Sequence, residues 1–228
     1  MIRCLDIHTH HVAPQPLAVI ALDLISNSDS IGKLLSSEET DGETTQLYSI
    51  GIHPWETEKN LSPRQWATFE KLVSHPWVAA IGECGIDKLK GGPLFKQLIV
   101  MNKQIEISEK LHKPLIIHDV KAHDVIVGLK RDLNPAQKWV VHGFRGKPSV
   151  AKMLTDAGIY LSFGEKFNPD TPITVPQEKI LAETDDSSLS IEEIINNLSL
   201  NLGKEIRGVI EQNTNFFLFG EKSGNPGS

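Results

Sequence analysis

No apolar run in this chain approaches 18 residues, so no segment reads as a membrane-spanning helix. No N-terminal stretch pairs a charged start with an apolar h-region, and the expectation is a cytoplasmic protein that is not held on a membrane. Cysteine is scarce. Cys4 and Cys84 are the two present, and two such thiols do not make a disulfide framework. Excess positive charge is lacking too: 23 Lys and Arg stand against 29 Asp and Glu, a net charge of −6. That argues against a broad, charge-driven nucleic-acid surface, though not against a local basic rim. Internal repeats, low-complexity tracts and evident linkers are absent. What remains is a chain of 228 residues with 39% hydrophobic content, enough to bury a sizeable core.

Short apolar runs recur along it, most of them separated by helix-like stretches. Beside Asp6–His10 they are Leu17–Ile25, Leu47–Ile52, Trp77–Ile81, Pro114–Ile117, Lys138–Val141, Gly158–Ser162 and Lys179–Ala182. The amphipathic segments between and after them are Ser62–Ser74, Pro93–Leu111, Ala122–Leu133, Pro148–Ala157, Ile191–Leu198 and Lys204–Phe219. Ser62-Pro63 opens the first with a cap and a proline, and Ser190 with Glu193 opens the fifth with a capping box. Strands alternating with helices predict parallel βα units, and eight of them predict an α/β fold of the (β/α)8 TIM-barrel type. The barrel is expected to be somewhat shortened. The stretch after His10 has room for a loop but not a helix, and Asn27–Thr45 is polar and acidic, so the first crossover helices read as reduced or missing. Residues 1–220 are expected to form this one barrel, with 221–228 a flexible, Gly- and Ser-rich tail.

Many of the runs end in a residue able to bind a metal. His8 and His10 are two apart, so in a strand both imidazoles project from one face, with Asp6 one step earlier. Other runs lead into His53, Glu83, His118, His142 and Asp185. In a parallel barrel all strand carboxyl ends lie on one face, where catalytic groups gather. Five of nine histidines fall at these ends, with His11, His75, His112 and His123 elsewhere. One such residue caps a loop as readily as it binds a metal; seven together predict a metal site. Cys4 shares the Asp6–His10 face and reads as a small core residue, whereas Cys84 should face away from Glu83.

These stretches resemble the TatD family of metal-dependent hydrolases, within the amidohydrolase-like barrels. The matching motifs are Asp6-Ile7-His8-Thr9-His10, Gly51-Ile52-His53-Pro54-Trp55, Ile81-Gly82-Glu83-Cys84-Gly85-Ile86-Asp87, Pro114-Leu115-Ile116-Ile117-His118, Val141-His142-Gly143-Phe144-Arg145-Gly146 and Leu181-Ala182-Glu183-Thr184-Asp185, in family order. The resemblance implies two adjacent divalent cations. His8, His10 and Asp185 would hold the first, His118 and His142 the second, and Glu83 would bridge them. The mixed N/O donors suit Zn²⁺ or Mn²⁺, and Mg²⁺ less comfortably. Such a pair polarises a phosphoryl oxygen and lowers the pKa of a bridging water, with Asp185 as the proton acceptor. Glu83 and Asp185 are thus the expected catalytic residues, and Asp6 is expected to orient the strand or a ligand from behind. The implied activity is that of a phosphodiesterase, a deoxyribonuclease trimming strand ends. DNA is then the expected substrate, and the chain is expected to act as a monomer with no obligate protein partner.

His53 is placed either to touch a substrate phosphate or simply to turn the chain before Pro54. Trp55 reads as packing rather than as a stacking platform for a base. Arg145, Lys147, Lys88, Lys90 and Lys166 would form a basic rim on the ligand face, with Arg145 and Lys147 as the substrate contacts. His123 and Asp124 read as surface residues of the following helix. The chain departs from the family pattern in three places: Val120 stands where the family carries Arg, Ser187 where it carries Pro, and the Val12–Thr45 region is short. Without that Arg a bidentate phosphate clamp is missing, and Lys is no equivalent. Two other readings therefore stand beside the nuclease: a barrel hydrolase of an amide, ester or lactone, and a metal-binding protein that has lost turnover.

Overall fold

Eight parallel strands, hydrogen-bonded in chain order, close on themselves as a barrel. The computed structural model describes residues 4–11, 18–23, 31 and 46–220. The strands are β1 (Asp6–Thr9), β2 (Ala18–Asp23), β3 (Leu47–Gly51), β4 (Val78–Asp87), β5 (Leu115–Val120), β6 (Trp139–Val141), β7 (Tyr160–Phe163) and β8 (Ile180–Ala182). The helices are α1 (Pro63–Val73), α2 (Leu94–Leu111), α3 (His123–Leu133), α4 (Pro148–Asp156), α5 (Ile191–Leu202) and α6 (Arg207–Phe219). This is the barrel the alternation of runs predicts. The expectation of reduced first crossovers falls on 12–17 and 24–45, which lie outside the described residues apart from the buried, helical Ile31; the expected tail, 221–228, lies outside them as well.

Alternation along each strand sorts the core into two parts. On β5, Leu115 and Ile117 pack outward with Phe69, Met101 and Ile126 of the helices. Ile116 belongs to the other cluster, with Leu47, Ala79, Val140, Tyr160 and Leu181. Phe217 and Leu218 of α6 join that inner cluster, so α6 closes the barrel at the end opposite the strand carboxyl termini. Side chains such as Trp139, Phe69 and Phe163 are fully buried, each stabilising the fold by roughly 1.5–3 kcal/mol. Both predicted caps form. Ser62 and Gln65, and likewise Ser190 and Glu193, exchange side-chain-to-backbone bonds across the first turns of α1 and α5.

One element differs from the sequence reading in a way that bears on the site. The fourth strand runs well past Ile81 to Asp87, because Cys84 and Ile86 are buried and pair with Ile117 and Asp119 of β5. Glu83 therefore sits within the strand. Gly85 makes this possible: at φ 144° it lies so close to β5 that a Cβ would come within 2.0 Å of the His118 carbonyl. Between β7 and β8, where the sequence reading placed no helix, the chain carries two 3-10 turns, Pro172–Thr174 and Gln177–Lys179.

Candidate metal centre

The centre is built around one carboxylate. Glu83, on β4, presents Oε1 to His8 and His10, at the end of β1, and Oε2 to His118 on β5 and to His53 and His142, just beyond β3 and β6. Oε1 lies 3.3 Å from His8 Nε2 and 3.0 Å from His10 Nε2. Oε2 lies 2.7 Å from His142 Nε2, 3.3 Å from His118 Nδ1 and 3.5 Å from His53 Nε2. Asp185 Oδ1 completes the β1 side, 3.8 Å from His8 Nε2 and 3.7 Å from His10 Nε2. Burial pushes the Glu83 carboxyl up, but the charge on His142 and hydrogen bonds from His10, His118 and His142 outweigh it and hold the group well below the usual carboxylate range.

Local structure aims each of these groups. β1 ends at Thr9, so His8 is the last inward residue of the strand and fully buried, while His10 follows it at the rim. Asp6 acts as a bolt between β1 and the turn after β8. Its Oδ1 accepts from the His8 and Thr184 amides, and its Oδ2 from the Thr184 hydroxyl at 2.7 Å. Burial pushes the Asp6 carboxyl up to about 7, although those Thr184 bonds oppose the shift. Asp185 is tied to β1 through both backbone groups, its N–H to the His8 carbonyl and its C=O from the His10 amide. It holds a left-handed φ of 53°, a conformation Asp tolerates better than most residues.

His53 turns the chain before Pro54 and also faces the centre. Its Nδ1 accepts from the Trp55 amide at 3.2 Å and so caps the 3-10 turn Pro54–Glu56. In the neutral ring the proton is then on Nε2, which faces Glu83 as a donor. Burial lowers its pKa. Trp55 is 44% exposed and is fixed by an indole bond to Asp87 Oδ2 at 2.7 Å.

The donor set fits divalent cations. Both ring nitrogens of His8 are buried without a hydrogen-bond partner among the described residues, although Nε2 lies close to two carboxylates. A tetrahedral cation with bonds of about 2.1 Å sets its ligands about 3.4 Å apart, and the nitrogen–oxygen distances of this cluster, 2.7 to 3.8 Å, bracket that value. His8, His10 and Asp185 offer three donor atoms within 4.8 Å of one another, and Glu83 does the same with His8 and His142 or with His53 and His118.

A cavity of about 430 Å³ opens over the centre, walled by Ala21, Leu22 and Trp55 and floored by Glu83, His118 and Asp185. A second cleft of about 380 Å³ adjoins it across Asp185 and Asp186 and is lined by Arg145 and Lys166. The other basic residues of the expected rim are placed differently. Lys88 pairs with Asp124 at 2.8 Å, Lys90 lies over the Trp55 ring at 3.2 Å, and Lys147 is an exposed residue capping α4 that lines neither cleft. His123 is less of a surface residue than expected, since its Nδ1 lies 2.6 Å from the buried Asp119 carboxylate. Sequence reasoning missed Asp87, behind His118, and Glu183, behind His142. The signal available was their place in the Glu83 and Asp185 motifs.

Comparison with known proteins adds the following. A family model described as TatD related DNase matches residues 19–198. An uncharacterized metal-dependent hydrolase, YabD of Bacillus subtilis, is 31% identical over 146 residues, covering 60% of this chain and 57% of YabD. A protein named 3'-5' ssDNA/RNA exonuclease TatD, from Erwinia amylovora, is 26% identical over 148 residues, 60% of this chain and 56% of its own. The matches thus span little more than half of these relatives. In structure, the chain is similar to YjjV, a TatD homologue of Escherichia coli, with a TM-score of 0.77 at 18% identity over 96% of this chain and 99% of that one.

Proposed function

The chain belongs to the TatD-related DNase family, and from that membership we propose that it is a metal-dependent phosphodiesterase that removes nucleotides from the end of a DNA strand. The observation that carries the reading is Glu83. Its two oxygens face different histidines, His8 and His10 on one side and His118, His142 and His53 on the other, the arrangement needed by a carboxylate shared between two cations. His8, His10 and Asp185 would hold one cation, His118 and His142 the other. Bound there, the pair would supply Lewis-acid polarisation of a phosphoryl oxygen and a lowered pKa for the attacking water. Asp185, about a quarter exposed at the cavity floor, accepts the proton of that water. His53 Nε2–H donates to a phosphoryl oxygen, and Trp55 walls the cavity. About 430 Å³ is room for one nucleotide unit beside the centre. Arg145, lining the adjoining cleft, would hold the phosphate beyond the scissile bond.

The test is cleavage of an end-labelled single-stranded DNA oligonucleotide with Mn²⁺ or Mg²⁺. A ladder of end-trimmed products is expected, lost with EDTA and reduced at least ~100-fold in Asp185→Asn. A chain loaded with cations that leaves the oligonucleotide intact contradicts the reading. The apolar wall of Ala21, Leu22 and Trp55 favours one second reading, hydrolysis of a non-phosphate ester or amide, and small esters and amides are then the substrates to try.

A further inference from the structure

A neutral imidazole carries one N–H and one lone pair, and the group behind the ring decides which nitrogen is which. His118 and His142 face Glu83 Oε2 with opposite nitrogens, Nδ1 and Nε2 respectively. Each has a carboxylate behind it. His118 Nε2 lies 3.4 Å from Asp87 Oδ2, and His142 Nδ1 lies 3.5 Å from Glu183 Oε1. Asp87 is rigidly held: its Oδ1 accepts from the Leu89 and Lys90 amides at 2.8 and 3.0 Å, and its Oδ2 also accepts from Trp55. Glu183 is fully buried, and neither of its oxygens has a hydrogen-bond partner among the described residues, so the imidazole of His142 is the basic group it faces. The β1 side is built otherwise. His142 Nδ1 and His8 Nδ1 alike make no hydrogen bond among the described residues, but His142 Nδ1 has the Glu183 carboxylate at 3.5 Å, whereas His8 meets its carboxylates, Glu83 and Asp185, through Nε2, and His10 stands at the exposed rim.

We propose that Asp87 and Glu183 are positioning residues that fix His118 as the Nε2–H tautomer and His142 as the Nδ1–H tautomer, so that one of the two cation positions depends on them and the other does not. The proposal rests on the two-cation reading of the site. Asp87 has a further reach, because the oxygen that orients His118 also fixes the indole of Trp55. A carboxylate behind a ligating imidazole sets ring orientation and raises basicity, and its loss typically weakens metal binding roughly 10–100-fold.

The experiment uses the full chain loaded with Zn²⁺, passed over a chelator of graded strength, with zinc counted per chain for wild type, Asp87→Asn, Asp87→Ala and Glu183→Gln. The ring tautomers are read by long-range ¹⁵N–¹H correlation on ¹⁵N-histidine protein. Wild type is expected to hold two zincs, with the proton of His118 on Nε2 and that of His142 on Nδ1. Asp87→Ala and Glu183→Gln are expected to release one zinc at a roughly 10–100-fold weaker chelator strength and to keep the other. Asp87→Asn keeps one carbonyl for the Leu89 and Lys90 amides and turns the other position into an amide donor facing His118 Nε2 and the Trp55 indole, so it should hold the turn yet lose the tautomer and weaken one zinc. It therefore separates positioning from a collapsed turn. Variants that keep both zincs within twofold of wild type, with unchanged tautomers, overturn the proposal alone. A wild type holding fewer than two zincs overturns the reading of the site itself.

Discussion

Protons and cations compete for the same lone pairs around Glu83, and this sets the behaviour of single residues. A hydrogen bond to Glu83 raises the His10 pKa above its ordinary 6.5, against the opposing effect of burial. For His142 burial acts downward most strongly, yet the charges of Glu83 and Glu183 outweigh it and raise the group well above that value. Raised imidazoles hold their protons to higher pH in the metal-free chain, and a cation must displace them. Zinc affinity is therefore expected to climb between about pH 6 and 8, with proton release measurable by titration calorimetry in buffers of different ionisation enthalpy. An affinity flat across that range would mean the histidines are not the ligands. The residues gathered here were largely legible in the sequence, because each of His8, His10, His53, Glu83, His118, His142 and Asp185 ends or follows an apolar run. Asp87 and Glu183 were not. Sequence gives their type and position, but their part depends on which ring nitrogen faces which oxygen, and that is set by side-chain rotation.

Among the elements, β4 organises the site, and its length was the least legible feature. Glycines at 82 and 85 look like a strand ending, since glycine weakens a strand in isolation. In the barrel Gly85 instead permits the close approach of β5 that brings His118 to Glu83. The start of β4 is secured from outside by Lys113, whose ammonium donates to the carbonyls of Val73, His75 and Val78 where α1 gives way to the strand. Burial lowers the Lys113 pKa to about 8, so at neutral pH it remains a charged donor. Lys113→Met leaves those carbonyls without their ammonium and is expected to cost about 1–3 kcal/mol in urea unfolding at pH 7. No change in the midpoint would show that water replaces the ammonium at no cost. The crossover between β7 and β8 was read without a helix, and it carries short 3-10 turns.

At the scale of the whole molecule an acidic chain, net −6, is proposed to bind a polyanion. Cations at the centre would neutralise Glu83 and Asp185, and Arg145 and Lys166 then give the adjoining cleft its positive groups. Charge reversal by Arg145→Glu should raise KM for an oligonucleotide several-fold at low salt, leave kcat near wild type, and have a smaller effect at high salt, where the contact is screened. Equal KM values at low salt would remove Arg145 from the substrate path. The barrel itself was legible from the eight runs and the helices between them, since parallel strands covered by helices must be apolar and must alternate with amphipathic segments. The substrate was not legible in the same way: it is decided by loops, and Val120 stands where the resemblance leads one to expect the Arg that would have marked a phosphate site. The central claim is that Glu83 joins two cations, and anomalous diffraction from crystals grown with Mn²⁺ tests it most directly. The account predicts two peaks, one beside Glu83 Oε1 with His8, His10 and Asp185 and one beside Oε2 with His118 and His142. A single peak, or two that do not share Glu83, would contradict it.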